Sequence, residues 1–239
     1  MVRYLTAFAL LAWVSTASAQ LSSSGYREGA KGGSPDVNEY QRDDGVAENS
    51  IGLTAGGDLF WMNRFTAVAN QNRITGIRIA FGTPLTINGL PVTAYLWSDP
   101  NGDGNPTDGQ VLSQATGVIT GASAAVPINN PTFVLFDIPD TNLTVGQSFF
   151  IGAKVTHVAS QFPAAIDQTT PIPGPGLHWV AFAAAGAGNP NSLQSVTDVS
   201  TIAGLNGKFL VRADGTAVPE PASLGLLAVA GLLGLRRRR

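Results

Sequence analysis

The stretch NRITGIRIAF, residues 72–81, decides the fold class because its side chains alternate between apolar and polar types. Alternation with a period of two indicates a β-strand with one buried face. The expected inward face comprises Thr75, Ile77, Ile79 and Phe81. Residues 207–213 alternate likewise, with Phe209, Val211 and Ala213 expected inward and Lys208, Leu210 and Arg212 outward.

Five further stretches of strand-forming residues are separated by turn-forming Gly, Pro and Asn. They are Pro91–Ser98, Gln110–Thr120, Thr132–Ile138, Gln147–Val158 and Leu177–Ala184. No window has the pattern of a long amphipathic helix. The sequence therefore predicts an all-β domain over residues 38–214, an antiparallel β-sandwich of the jelly-roll type. Residues 20–37 begin with a Ser- and Gly-rich segment and are expected to form a flexible lead-in.

The composition excludes several classes of protein. Only 13% of the 239 residues are charged, about half of the usual 25%, while 44% are hydrophobic, which argues against a disordered chain. A net charge of -2 does not suit a basic nucleic-acid-binding surface. The chain has no cysteine, which excludes disulfides, thiolate nucleophiles and zinc–thiolate sites.

The N-terminus has the pattern of a secretory signal peptide. Arg3 precedes a short apolar run, and Ala17 and Ala19 supply the small residues of a cleavage site. The apolar run is shorter than the ~20 residues that a membrane span needs. We therefore expect a signal helix over residues 1–19 that signal peptidase removes after Ala19.

The C-terminus combines three features in a fixed order. Pro219, Glu220 and Pro221 come first, followed by fourteen uncharged residues, Ala222–Leu235. The basic residues Arg236, Arg237, Arg238 and Arg239 close the sequence. Fourteen helical residues extend about 21 Å, short of a ~30 Å hydrocarbon core, and arginines favour the cytoplasmic side. These features predict a short C-terminal hydrophobic helix that anchors the chain transiently in the inner membrane.

The segment that follows the domain, residues 215–239, resembles the PEP-CTERM sorting signal of Gram-negative bacteria over Val218–Arg239. The resemblance implies processing near Pro219–Pro221 by an exosortase, a membrane transpeptidase. It also implies export to the cell surface or extracellular matrix, with extracellular polysaccharide of a biofilm as the expected partner. The alternative is a permanent C-terminal membrane anchor.

The exported part is more acidic than the precursor. Without the signal peptide and the tail, 9 basic and 15 acidic residues remain, a net charge of -6. The stretches Asp43–Asn49 and Tyr95–Pro106 resemble segments of uncharacterised secreted bacterial β-proteins. That resemblance implies no particular activity.

The loop Asp99–Gln110 is the candidate metal site. Aligned on a calcium-binding loop, Asp99, Asn101 and Asp103 occupy positions 1, 3 and 5. The remaining candidate ligands are the Asn105 carbonyl, the Thr107 hydroxyl and Asp108. Position 12 is Gln110 instead of the usual bidentate Glu. The alternative is a solvated hairpin loop without an ion, because Asn-Gly and Asp-Gly favour turns by themselves.

An aromatic face on Pro91–Ser98 is the candidate sugar-binding site. Tyr95 and Trp97 share one side of the strand and lead into the acidic loop. Exposed aromatic rings can stack on sugars. The alternative is that both rings belong to the core.

The sequence gives little support for an enzyme. His157 and His178 are the only histidines and both have the strand phase of buried residues. Ile51–Ala217 contains no glutamate, so a glycosidase would need two of nine aspartates, of which Asp137 is the most prominent. We therefore expect a secreted, non-catalytic, exosortase-sorted surface or matrix protein with no certain cofactor. The alternatives are a calcium-assisted carbohydrate-binding module and, third, a polysaccharide hydrolase.

Overall fold

A computed structural model describes residues 39–171 and 174–218, together with the backbone of Tyr26–Arg27. The predicted signal peptide, most of the lead-in and the sorting motif from Pro219 onward lie outside the described residues, and so do both predicted terminal helices. Among the described residues, no helix has the length and apolar character needed to cross a membrane.

The described residues form two antiparallel sheets, as the alternation predicts. The first sheet contains β1 (Tyr26–Arg27), β2 (Glu39–Tyr40), β3 (Asn49–Ile51), β5 (Arg73–Thr83), β8 (Phe133–Asn142), β10 (Phe162–Asp167), β13 (Lys208–Phe209) and β14 (Val211–Thr216). The strands of the second sheet are β4 (Gly56–Thr66), β6 (Pro91–Ser98), β7 (Gln110–Val118), β9 (Ser148–Val158), β11 (His178–Ala183) and β12 (Thr197–Asp198). They lie in the order β12-β11-β4-β9-β6-β7. Three short 3-10 helices are described, at Leu85–Ile87, Pro106–Asp108 and Val199–Thr201.

One hydrophobic core joins the two sheets. Trp61 of β4 and Phe149 of β9 belong to the same buried cluster as Ile77 of β5 and Phe136 of β8. Because this cluster draws on the inner faces of both sheets, the sheets pack face to face, as expected for a β-sandwich. The jelly-roll connection stays a prediction.

The structure contains strands that the alternation pattern does not indicate. Residues 59–62 of β4 are consecutive apolar residues that pack on both faces: Leu59 and Trp61 enter the central core, whereas Phe60 and Met62 join a second cluster on the outer face. A strand buried on both faces loses the period-two signal. The short strand β10 was not predicted either. Strand β1, which pairs with β8, lies within residues 20–37, where a flexible lead-in was expected.

The outward face of residues 207–213 is a second difference. Phe209, Val211 and Ala213 point into the central core as predicted. Lys208, Leu210 and Arg212 lie on the other face, but they too are buried. These side chains are buried because other segments of the chain cover that face of the sheet. Leu210, for example, packs in a third cluster with Ile128.

Candidate functional site

The acidic loop connects two neighbouring strands of the second sheet. Asp99 directly follows β6, and β7 begins at Gln110. Asp99 is 5% exposed, and its two carboxylate oxygens accept hydrogen bonds from the backbone N–H groups of Gly102 (3.1 Å) and Gly104 (3.0 Å). Asp99 thus holds the loop in a tight turn around the Asp99 carboxylate.

The backbone conformation favours glycine at position 104. Its φ of +80° lies in the left-handed region, which side chains other than Gly rarely adopt. A Cβ there would also lie 2.2 Å from Nη1 of Arg64. The Arg64 guanidinium approaches Asp99 as well, with Nη2 3.7 Å from Oδ2. Gly104 therefore lets the loop close beneath an arginine.

Three carboxylates converge in this loop. One oxygen each of Asp99, Asp103 and Asp108 lies within 4.8 Å of the others. Oδ1 of Asp108 is buried without a hydrogen-bond partner. A buried, unpaired carboxylate oxygen carries a desolvation cost that a cation would relieve. The arrangement can therefore supply oxygen ligands to a divalent cation such as Ca²⁺.

The Asn101 and Asn105 side chains and the Thr107 hydroxyl make hydrogen bonds within the loop itself. Oδ1 of Asn101 accepts a hydrogen bond from the Asp103 backbone N–H at 2.9 Å. Oδ1 of Asn105 accepts from the Thr107 backbone N–H at 3.1 Å and from the Thr107 hydroxyl. These bonds are those of the Asx turns that such residues form in loops. The structure thus brings the three predicted carboxylate ligands together, whereas the side chains of Asn101, Asn105 and Thr107 shape the loop. These bonds use the Asn105 side chain and not its backbone carbonyl, which was the predicted ligand atom.

The two candidate sugar-binding rings are buried. Trp97 is 0% exposed and Tyr95 is 6% exposed, and their rings stack on each other at 4.9 Å. The indole N–H of Trp97 donates to the Pro190 carbonyl at 2.8 Å. Both rings belong to the second cluster together with Leu193. Both rings are therefore core residues, which was the alternative interpretation of this strand, and neither ring offers a free face to a sugar.

Both histidines are buried, with different surroundings. His157 accepts a hydrogen bond from the Leu53 N–H through Nε2, and its Nδ1 lies 2.9 Å from the Val158 carbonyl. His178 donates from Nδ1 to Oδ1 of Asn63 at 2.7 Å, since that oxygen can only accept. Nε2 of His178 is buried without a partner. Burial, Arg42 and Lys208 lower the pKa of His178 from 6.5 to about 3, so this ring is neutral at neutral pH.

Asp58 holds in place the segment after β11 that covers the second cluster, on the outer face of β4. Its carboxylate accepts hydrogen bonds from the N–H groups of Gly186 (3.0 Å) and Gly188 (2.8 Å) and from the Thr156 hydroxyl (2.6 Å). The Lys154 ammonium lies 2.9 Å away. Burial alone would raise the pKa of Asp58, but these bonds outweigh it and lower the pKa from 3.8 to about 2. The sequence does not indicate Asp58 as a functional residue, because the pattern of β4 does not predict a strand there.

Two further buried ion pairs lie in the first sheet. Lys208 pairs with Asp167 at 2.9 Å, and Arg212 pairs with Asp43 at 2.6 Å. Lys208 and Asp167 are direct cross-strand partners in β13 and β10, whereas Arg212 joins β14 to Asp43 in the segment that follows β2. Asp137, the most prominent catalytic candidate from the sequence, lies opposite Gly76 in the β5–β8 pairing and is only partly buried.

The chain leaves the folded domain from an interior strand. β14 pairs with β5 on one side and with β2 on the other. Its last residue, Thr216, is paired with Arg73. Only Ala217 and Val218 separate this strand from Pro219. The folded sheet is therefore directly followed by the predicted sorting motif.

Residues 217–239 match the family model described as the PEP-CTERM protein-sorting motif. The match confirms the sorting motif that the Pro-Glu-Pro, apolar and arginine segments predict. It covers the C-terminal tail only and says nothing about the activity of the β-domain. No curated protein matched the chain.

The fold is similar to part of a clostridial cysteine protease. The structure of Cwp84 after propeptide cleavage aligns with a TM-score of 0.52 and 11% identity over 77% of this chain. A structure of the cysteine protease and lectin-like domains of Cwp84, a surface layer associated protein of Clostridium difficile, aligns with a TM-score of 0.47 at 11% identity, covering 77% of this chain and 37% of that one. This chain spans about two-fifths of the former structure, 41% of its length. At such identity the likeness concerns the fold alone, and the absence of cysteine here rules out a thiol nucleophile.

Proposed function

We propose that this chain is a cell-surface or extracellular-matrix protein without catalytic activity, processed near Pro219–Pro221 by an exosortase-type transpeptidase. The carrying observation is the PEP-CTERM match over residues 217–239, which supports an exported and sorted protein. In this proposal signal peptidase removes residues 1–19, the tail anchors the precursor transiently in the inner membrane, and extracellular polysaccharide is the partner.

The buried groups support a non-catalytic role. His178 is neutral at neutral pH and His157 contacts the backbone through both ring nitrogens. General acid–base catalysis needs a group that can exchange protons near the working pH and reach a substrate. Neither histidine has such a position, and the buried carboxylates of Asp58, Asp167 and Asp43 are each paired with a cation.

The processing step is tested in the producing bacterium. Pro219, Glu220 and Pro221 are replaced together by alanine, and Arg239→Lys, which keeps the basic tail, is the matched control. We expect the alanine variant to accumulate as a full-length precursor in the membrane fraction, whereas the control is shortened like the wild type. Normal shortening of the alanine variant would contradict the proposal.

A second candidate function is a calcium-assisted carbohydrate-binding module. The observation that favours it is the unpartnered Oδ1 of Asp108 beside the carboxylates of Asp99 and Asp103. Ca²⁺ takes six to eight oxygen ligands, so three aspartates would leave positions for other oxygens, including sugar hydroxyls. In this version the ion and the loop contact the sugar, while Tyr95 and Trp97 support the loop from the core. Thermal unfolding with and without calcium tests the ion, and a glycan array with and without calcium tests the sugar.

A further inference from the structure

The end of the domain from which β14 leaves the sheet has two uncharged loops beside it. The loop between β4 and β5, residues 67–72, and the loop between β8 and β9, residues 143–147, contain no charged residue. Their tips carry exposed apolar side chains, since Val68 is 45% exposed and Val145 is 54% exposed. We call these two loops the exit end.

Backbone hydrogen bonds join the two loops of the exit end. The N–H of Ala67 donates to the Gln147 carbonyl at 2.8 Å, and the N–H of Gly146 donates to the Ala67 carbonyl at 2.7 Å. Val68 directly follows Ala67, and Val145 directly precedes Gly146. The two valines therefore belong to one continuous piece of surface.

The exit end lies directly beside the last strand. A Cβ on Gly215 would lie 2.5 Å from the carbonyl oxygen of Gln71. The Tyr40 hydroxyl donates to that same carbonyl at 3.2 Å and accepts from the N–H of Val68 at 3.0 Å. The end of β14 and the β4–β5 loop are thus held together.

The length of chain beyond β14 limits how far the domain can lie from its anchor. Six residues lead from Thr216 to Ala222, where the apolar segment begins. Fully extended, they span at most about 22 Å. While the apolar segment is in the membrane, the exit end must therefore remain close to the lipid surface.

We infer that the exit end is the membrane-facing surface of the precursor, with Val68 and Val145 in contact with the lipid bilayer. This inference rests on the proposed membrane anchoring of the tail. It is supported by the reach of the chain, by the absence of charge in both loops, and by the apolar tips beside the exit. The contact positions Pro219–Pro221 at the membrane surface, where a membrane transpeptidase works.

The absence of cysteine gives a direct test. The full chain carrying Val145→Cys, and separately Val68→Cys, is labelled with a polarity-sensitive fluorophore and reconstituted into phosphatidylethanolamine–phosphatidylglycerol vesicles. The matched control is Val158→Cys, because Val158 is 67% exposed and lies at the opposite end of β9. Circular dichroism of each labelled variant verifies that the fold is kept.

We expect a blue shift of emission, and quenching by lipid-borne quenchers, at positions 145 and 68 but not at position 158. Flotation with the vesicles measures the anchoring separately. Protein that floats without a shift at 145 and 68, or with an equal shift at 158, overturns the inference and leaves the proposed sorting intact. Protein that does not float overturns both the anchoring and the inference.

Discussion

Thr216, the last residue of β14, pairs with Arg73 of β5, and its hydroxyl donates to the Arg73 carbonyl at 3.4 Å. The match to the PEP-CTERM motif begins at the next residue, 217. The predicted domain ended at Asp214, so the strand extends two residues further than the sequence indicated. The sorting motif therefore follows a strand of the sheet interior without a long linker.

Calcium should stabilise the folded domain if the acidic loop binds it. An ion that binds only the folded state adds about 2.7 kcal/mol at a concentration of one hundred times Kd, which appears as a rise in Tm. We expect millimolar calcium to raise the Tm of the wild type and to leave that of Asp108→Asn unchanged. Asp140→Asn is the control, because Asp140 is exposed and pairs with Arg73 outside the loop. No rise in the wild type, or an equal rise in Asp108→Asn, would refute the calcium site.

Asp58→Asn should destabilise the protein strongly. It removes a buried charge that pairs with Lys154 and accepts bonds from Gly186 and Gly188. Breaking a buried pair costs about 3–5 kcal/mol, measurable by urea unfolding. Amide exchange should accelerate in the Gly186–Gly188 segment, because one of the two accepting oxygens becomes an NH2 group that cannot accept a hydrogen bond.

Asp140→Asn is again the matched control for this prediction. It breaks the exposed ion pair with Arg73, which should cost at most about 1 kcal/mol. Equal losses in the free energy of unfolding of the two variants would show that Asp58 does not hold the covering segment in place.

The stabilisation by Asp58 should also depend on pH. Because the pKa of Asp58 in the folded protein is about 2, its contribution to the free energy of unfolding is fully present above the ordinary pKa of 3.8. That contribution is lost as the pH falls through about 2.

His178 should make stability depend on pH. Its pKa is about 3 in the folded protein and 6.5 ordinarily, so the unfolded chain binds more protons between these values. Stability should therefore fall as the pH drops from 6.5 towards 3, with a slope of up to about 1.4 kcal/mol per pH unit from this one group. His178→Gln should flatten that slope, whatever its effect at neutral pH. An unchanged slope in urea unfolding from pH 7 to pH 4.5 would disprove the assignment.

The sequence predicted the features that depend on local pattern. The strand Pro91–Ser98 was placed with its observed bounds, and the inward face of residues 207–213 was confirmed. The two antiparallel sheets and the sorting motif were also foreseen. These features leave a period-two alternation or a linear motif in the sequence.

The features that depend on long-range packing could not be predicted. Strand β4 is covered on its outer face by a segment more than one hundred residues away, which includes Leu193. The same segment buries Trp97, so the strand with the predicted sugar-binding face supplies core residues instead. The Asp58 network joins residues 128 and 130 positions apart. In the acidic loop, the spacing suggested six ligands, but only the folded chain shows which three carboxylates meet.

The most direct test of the account is the C-terminal residue of the protein recovered from the cell surface or the medium of the producing bacterium. Intact-mass and peptide mass spectrometry measure it. We expect a mature chain that ends near Pro219–Pro221 and lacks the apolar segment and the arginines. Recovery of surface or extracellular protein that still ends at Arg239 would contradict processing of the sorting signal.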